Sequence, residues 1–221
     1  MAISVQRQEQ QKLQGTDHGA DAARSHALLT GVAKAAQRLL SIADFDAAVN
    51  EALAEIAQAA EIDRIYILEN CLETETNRQS ASMVYEWVTS APLRVLGSGG
   101  LTVYREDFEE QCAMNERGQP FQILARDLSE PARTIQNRYE AVSLLTVPIM
   151  CGEGWWGVIG FDDCTAERVW SSAEISVLET AAANFAAALQ RREASVALKR
   201  RDALLNSVNA AAQCLVVTDE L

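Results

Sequence analysis

Gly152-Glu-Gly154-Trp-Trp-Gly157 matches G-x-G-x-x-G, the spacing whose glycines let a backbone approach a dinucleotide pyrophosphate. That chemistry needs a strand before the motif, a helix after it and small residues in the spacer. Here a β-rich run follows and two tryptophans fill the spacer, so the motif reads as a hairpin turn. Gly97-Ser-Gly-Gly100 lacks the Gly-Lys-Ser/Thr ending of a phosphate loop and reads as a flexible turn. Asp162 and Asp163 have the residue type of a general acid and base. Neighbours on a strand point to opposite faces, however, so a polar strand end is the favoured reading, with one of the two free to face a ligand.

Imidazole and thiol chemistry are sparsely supplied. The two histidines, His18 and His26, both precede the first expected strand, which leaves the core without a haem ligand, metal ligand or imidazole base. The five cysteines, Cys71, Cys112, Cys151, Cys164 and Cys214, are odd in number and widely spaced with no Cys-x-x-Cys pair, as expected of reduced thiols. Cys151 and Cys164 flank a hairpin and should lie tens of ångströms apart, at about 3.3 Å per residue, which excludes a bond between them. Cys112 falls one helical turn after Phe108, so both can face inward.

The elements that position these residues follow from periodicity. Residues 1–24 are polar and interrupted by Gly15 and Gly19, as in a linker. Leu28, Leu29, Val32, Ala36 and Leu39 form a helical stripe, and Asp44 is placed to cap a second helix bearing Phe45, Val49, Leu53 and Ile56. Strands are expected at 64–68 and at 82–88, where Met83, Tyr85 and Trp87 would share a face. A short helix near 106–116 closed by Gly118, a strand at 121–124 and a helix from about Pro131 make an irregular third of the chain, the kind of region that carries binding sites. Ser143-Leu-Leu-Thr-Val-Pro-Ile-Met150 and Trp155-Trp-Gly-Val-Ile-Gly-Phe161 then form a hairpin.

A capping box, Ser171 with Glu174, opens the last helix, whose stripe is Ile175, Leu178, Ala182, Phe185 and Leu189. The stripe slips phase between Arg191 and Ala197 and resumes at Leu198, Leu205 and Ala212 on a seven-residue repeat. Unbroken to Ala212, this helix would be on the order of 60 Å long at 1.5 Å per residue. A domain of about 150 residues is only roughly 38 Å across. Either the helix projects beyond its domain or it breaks and folds back as a hairpin. Residues 213–221 form a short β-like run with nothing nearby to pair with.

Composition narrows the partners. The 221 residues suffice for one well-cored domain with helical arms, and a net charge of −12 repels phosphate backbones and anionic lipid. Nucleic acid is therefore excluded as an expected partner. No run approaches a membrane span and the N-terminus lacks a signal-peptide core, so a cytoplasmic location is expected.

The order helix, helix, strand, strand, irregular lid, strand, hairpin, long helix, with Asp63-Arg-Ile-Tyr66, Ser143-x-x-x-Val-Pro-Ile149 and Trp156-Gly-Val-Ile-Gly-Phe161, resembles the GAF domain family. The likeness covers 25–190 and implies an α+β fold. In it a central antiparallel sheet of about six strands carries the terminal helices on one face and lid helices over a small-molecule pocket on the other. By analogy with bilin-binding members, Leu144, Thr146, Gly160 and Asp162 would point into that pocket. Strand and helix parity adds Tyr66, Tyr85, Trp87, Phe108 and Cys112.

The resemblance also implies a regulatory module of a sensor histidine kinase or cyclase, part of a two-component system. A homodimer through the N- and C-terminal helices would use Leu189, Val196, Leu198 and Leu205, and residues 191–212 would carry the signal to an output domain of the same chain. The segment beyond Arg201 resembles the entry to a PAS domain, with 213–221 as its truncated start. The Cys-His dipeptide common at thioether bilin attachment, the Asn-Lys-Phe-Asp-Glu set of cyclic-nucleotide binders and a core histidine for haem are all missing, so no covalent bilin, haem or metal is expected. Two rival readings stay open: a thiol reductase resembling the free methionine sulfoxide reductases, and a ligand-free dimerisation spacer.

Overall fold

The computed structural model describes residues 23–74, 76–96 and 101–218, with side-chain surroundings defined as far as Ser207. Helix α1 (23–41) is followed by α2 (Phe45–Ala60), whose first turn is closed by the Asp44 carboxylate accepting from the Ala47 amide at 2.8 Å. Strands β1 (Arg64–Leu72), β2 (Gln79–Val88) and β3 (Thr102–Tyr104) lead to helix α3 (Glu109–Glu116). Then come β4 (Phe121–Leu124), helix α4 (Ala132–Arg138), the hairpin β5 (Ser143–Cys151) and β6 (Gly154–Asp163), and helix α5 (Ser172–Thr218). Both β1 and β2 run longer than their sequence patterns predict, because their outer ends are ladder-paired although half-exposed.

The strands form one six-stranded antiparallel sheet in the order β3-β2-β1-β6-β5-β4. Alternation divides its side chains between two cores. Ile65, Ile67, Leu145, Val147, Ile149, Ile159 and Phe161 pack against α1, α2 and α5. On the opposite face Tyr66, Leu68, Met83 and Val158 meet Val95, while Leu144 and Phe121 of β4 meet Phe108, Leu128 and Ala132 from the lid. This is the α+β sheet with helices on both faces that the sequence predicts.

Two β-bulges alter the parity. At the first, Ile67 pairs with Tyr85 and Leu68 with Met83, leaving Val84 as the extra residue. Met83 therefore faces the lid, whereas Tyr85 and Trp87 lie half-buried on the helix face, so the expected shared face is not formed. At the second, Ile149 pairs with Gly157 and Met150 with Trp155, which places Trp155 on the same face as Val158.

Helix α5 is anchored at its start by the capping box. The Ser171 amide donates to Glu174 Oε2 at 2.9 Å and the Glu174 amide to Ser171 Oγ at 3.3 Å. Arg168 joins it to α2, donating to the Ala60 carbonyl at 2.6 Å and to Glu174 at 3.1 Å. Leu178, Ala182 and Phe185 bury the first half against the sheet. The helix has 47 residues, about 70 Å at 1.5 Å each. It is continuous rather than folded back, and 213–218 is helical rather than β-like, because helix propagation meets no proline or glycine there. Residues 1–22, 75, 97–100 and 219–221, and with them the expected linker and the expected Gly97-Ser-Gly-Gly100 turn, lie outside the described residues.

Candidate functional site

The G-x-G-x-x-G motif is the β5–β6 turn. Gly152 sits at φ +63°, where a side chain would be strained, and Trp155 and Trp156 continue directly into β6 with no helix to receive a pyrophosphate.

The expected pocket floor is on the lid face but closed. The Tyr66 ring lies so tightly over Gly160 that a Cβ there would sit 2.2 Å from Tyr66 Cζ. Asp162 accepts from Arg64 Nε at 3.0 Å and Nη2 at 2.7 Å, with both side chains 2 % exposed. Tyr66 Oη donates to the other carboxylate oxygen at 3.4 Å. Arg64 also donates to the carbonyls of Leu93 and Tyr139, which ties both the β2–β3 connection and the end of α4 to the sheet. Burial pushes the Asp162 carboxyl and the Tyr66 phenol up, with Arg64 opposing both shifts. Thr146 donates to Asn115 Oδ1 at 3.1 Å, pinning α3 to β5, and Leu144 is covered by the lid core.

An open cavity of about 530 Å³ lies instead toward the outer ends of β1, β2 and β6. Leu68, Val103, Val158 and Trp155 supply its apolar floor, and Phe108 and Cys112 descend from the lid. Phe108 and Cys112 are the two expected pocket residues that line it. Tyr66, Leu144, Thr146, Gly160 and Asp162 are packed away beside it, and Tyr85 and Trp87 are on the other side of the sheet. Burial pushes the Cys112 thiol up. Asn70, Arg105, Glu116 and Glu153 also border the cavity. Sequence reasoning missed these four, because the strand extension and the lid approach that bring them together leave no periodic signal.

A second concavity, a groove of about 980 Å³, lies on the helix face where α5 leaves the sheet. Val84, Tyr85 and Trp156 form its sheet side, and Leu189, Val196 and Leu204 its helix side. At 100° per residue, Leu189 and Val196 fall on one side of α5 and Leu198 and Leu205 on the opposite side. The four expected dimer residues therefore make two stripes rather than one. Leu198 and Leu205 are 51 % and 54 % exposed. Among the described residues no cluster of His, Cys, Asp or Glu could hold a metal ion, and no helix is long and apolar enough to cross a membrane.

The family model for the GAF domain matches residues 44–189, which span α2 to the point where α5 leaves the sheet. The chain belongs to the GAF domain family. It is 34 % identical over 184 residues to the methanogenesis regulatory histidine kinase FilI of Methanothrix harundinacea (strain 6Ac), an alignment covering 82 % of this chain. The chain spans only 20 % of that relative's length.

Solved structures agree on the fold. The phycocyanobilin-bound GAF domain from a cyanobacterial phytochrome superposes with a TM-score of 0.59 at 13 % identity, covering 73 % of this chain and 93 % of that one. The bacteriophytochrome RpBphP3 from the photosynthetic bacterium R. palustris gives a TM-score of 0.64 at 16 % identity, covering 80 % of this chain and 40 % of that one. At such identities the likeness speaks for the fold alone.

Proposed function

We propose that this GAF domain is the sensory module of a cytoplasmic signal-transduction protein of the sensor histidine kinase or cyclase type. A small ligand binds noncovalently in the 530 Å³ cavity, and α5 passes the change to an output domain of the same chain. The protein acts as a homodimer joined through α1 and α5, with neither nucleic acid nor membrane as partner. The histidine kinase relative supports the setting, and the volume falls in the range of small-molecule pockets.

One observation carries the reading. The sheet is the shared wall of the cavity and the α5 groove, since Trp155 lines the first and its neighbour Trp156 the second. A fragment library of small aromatic and aliphatic compounds, screened by thermal shift, tests it. Hits should vanish in Cys112→Phe, which projects a ring into the cavity, and should change hydrogen exchange along 189–204 in the parent chain. A screen with no such hits leaves the ligand-free spacer as the better description.

The thiol reductase reading has one observation in its favour, because Cys71 and Cys112 border the same cavity. Against it, burial holds the Cys112 thiol above its usual range, away from the nucleophilic thiolate. Absence of methionine sulfoxide reduction, or activity unchanged in Cys112→Ser, removes it.

A further inference from the structure

The mouth of the cavity carries charge of both signs over an apolar interior. Arg105, in the turn before α3, donates from Nη2 to Glu116 Oε2 at 2.6 Å, so the pair spans the lid helix from its entry to its last residue. Their side chains are 34 % and 56 % exposed, and such a pair is held weakly and exchanges partners at little cost. Both border the cavity, and both act on the Cys112 thiol between them. Glu153, at the β5–β6 turn, adds a second carboxylate to the rim, and Glu109 also acts on Arg105.

Resting on the reading of this cavity as a ligand site, we infer that its ligand class is a small zwitterion with an apolar side chain, an α-amino acid in form. Its carboxylate takes the place of Glu116 on Arg105, its ammonium is received by the released Glu116 and by Glu153, and its side chain lies against Phe108 and Trp155. Charge balance drives the choice. A simple anion meets more carboxylate than guanidinium at this rim, and a simple cation can engage Glu153 but makes no use of Arg105. A zwitterion replaces each half of the existing pair and leaves the net charge of the mouth unchanged.

Four probes of one shape separate the possibilities: L-phenylalanine, 3-phenylpropanoate, phenethylamine and 2-phenylethanol, titrated calorimetrically into the full chain. L-Phenylalanine should bind about tenfold more tightly than each of the others, which is about 1.4 kcal/mol. Arg105→Gln should bring it down to the level of phenethylamine, and Glu116→Gln to that of 3-phenylpropanoate. Equal binding of 2-phenylethanol and L-phenylalanine overturns the zwitterion inference and leaves the ligand cavity standing. If none of the four binds while the fragment screen gives hits blocked by Cys112→Phe, the inference again falls alone; if both fail, the sensory reading falls with it.

Discussion

Trp155 and Trp156 are consecutive residues of β6 that face opposite sides of the sheet, one toward the open cavity and the other toward the groove beneath α5. Any displacement of the Trp155 backbone is shared by Trp156 through one peptide bond, and Trp156 packs at the edge of the helix-face core. Trp156→Ala should therefore keep ligand affinity within about twofold of the parent. It should also abolish the ligand-dependent change in hydrogen exchange along 189–204, at a stability cost of roughly 2 kcal/mol by urea unfolding. Loss of binding together with loss of coupling would mean that Trp156 only supports the sheet.

Gly160 and Tyr66 are complementary in shape. Gly160→Ala forces its new methyl into the Tyr66 ring, and the expected destabilisation is about 2–3 kcal/mol by chemical denaturation. Combining it with Tyr66→Ala should give less than the sum of the single effects, because the second change removes the atoms that the first one strikes.

The Arg64 and Asp162 pair closes what the sequence suggests as a pocket floor. Replacing Arg64 alone with Met leaves a buried carboxylate without its partner and should cost about 3–5 kcal/mol. The double replacement Arg64→Met with Asp162→Leu should recover much of that loss, as measured by a double-mutant cycle.

Asp163 makes stability depend on pH. It is 9 % exposed, its Oδ2 has no hydrogen-bond partner, and burial pushes its carboxyl up to about 6, with Arg168 opposing and Asp63 and Asp162 adding. Its folded value lies above an unfolded value near 3.9. The stability tied to the protonated form is thus full below about pH 4 and is lost as pH rises through about 6. Asp163→Asn, which stays uncharged, should be more stable than the parent at about pH 8 by about 1–2 kcal/mol after allowing for solvent screening. The gap should close below about pH 4 in thermal melts.

Leu198 and Leu205 lie seven residues apart on the side of α5 facing away from the groove. Replacing both with Asp should convert a dimer to a monomer in light scattering without loss of the domain's thermal transition, since neither is buried in the chain. A parent chain that is monomeric at high concentration removes the dimer proposal.

Local signals foretold most of the framework. The Asp44 cap, the Ser171 and Glu174 box and the β5–β6 hairpin each depend on residues close to one another in the chain. The site was less legible. Period-two alternation puts Met83 beside Tyr85 and Trp87, but the extra residue Val84 reverses that parity. A bulge depends on the register of two strands, not on the composition of either one.

Sequence by itself determined the α+β class, the GAF resemblance and the hairpin, because each is written in spacing and capping chemistry, whereas it left open whether α5 runs on or folds back. Tertiary structure alone decided that Arg64 would find Asp162 across 98 residues, that Tyr66 would close over Gly160, and that the open space would lie under Phe108 and Cys112 instead. Those outcomes depend on which side chains compete for one volume once the sheet has assembled, and close packing, unlike periodicity, is a property of the whole fold.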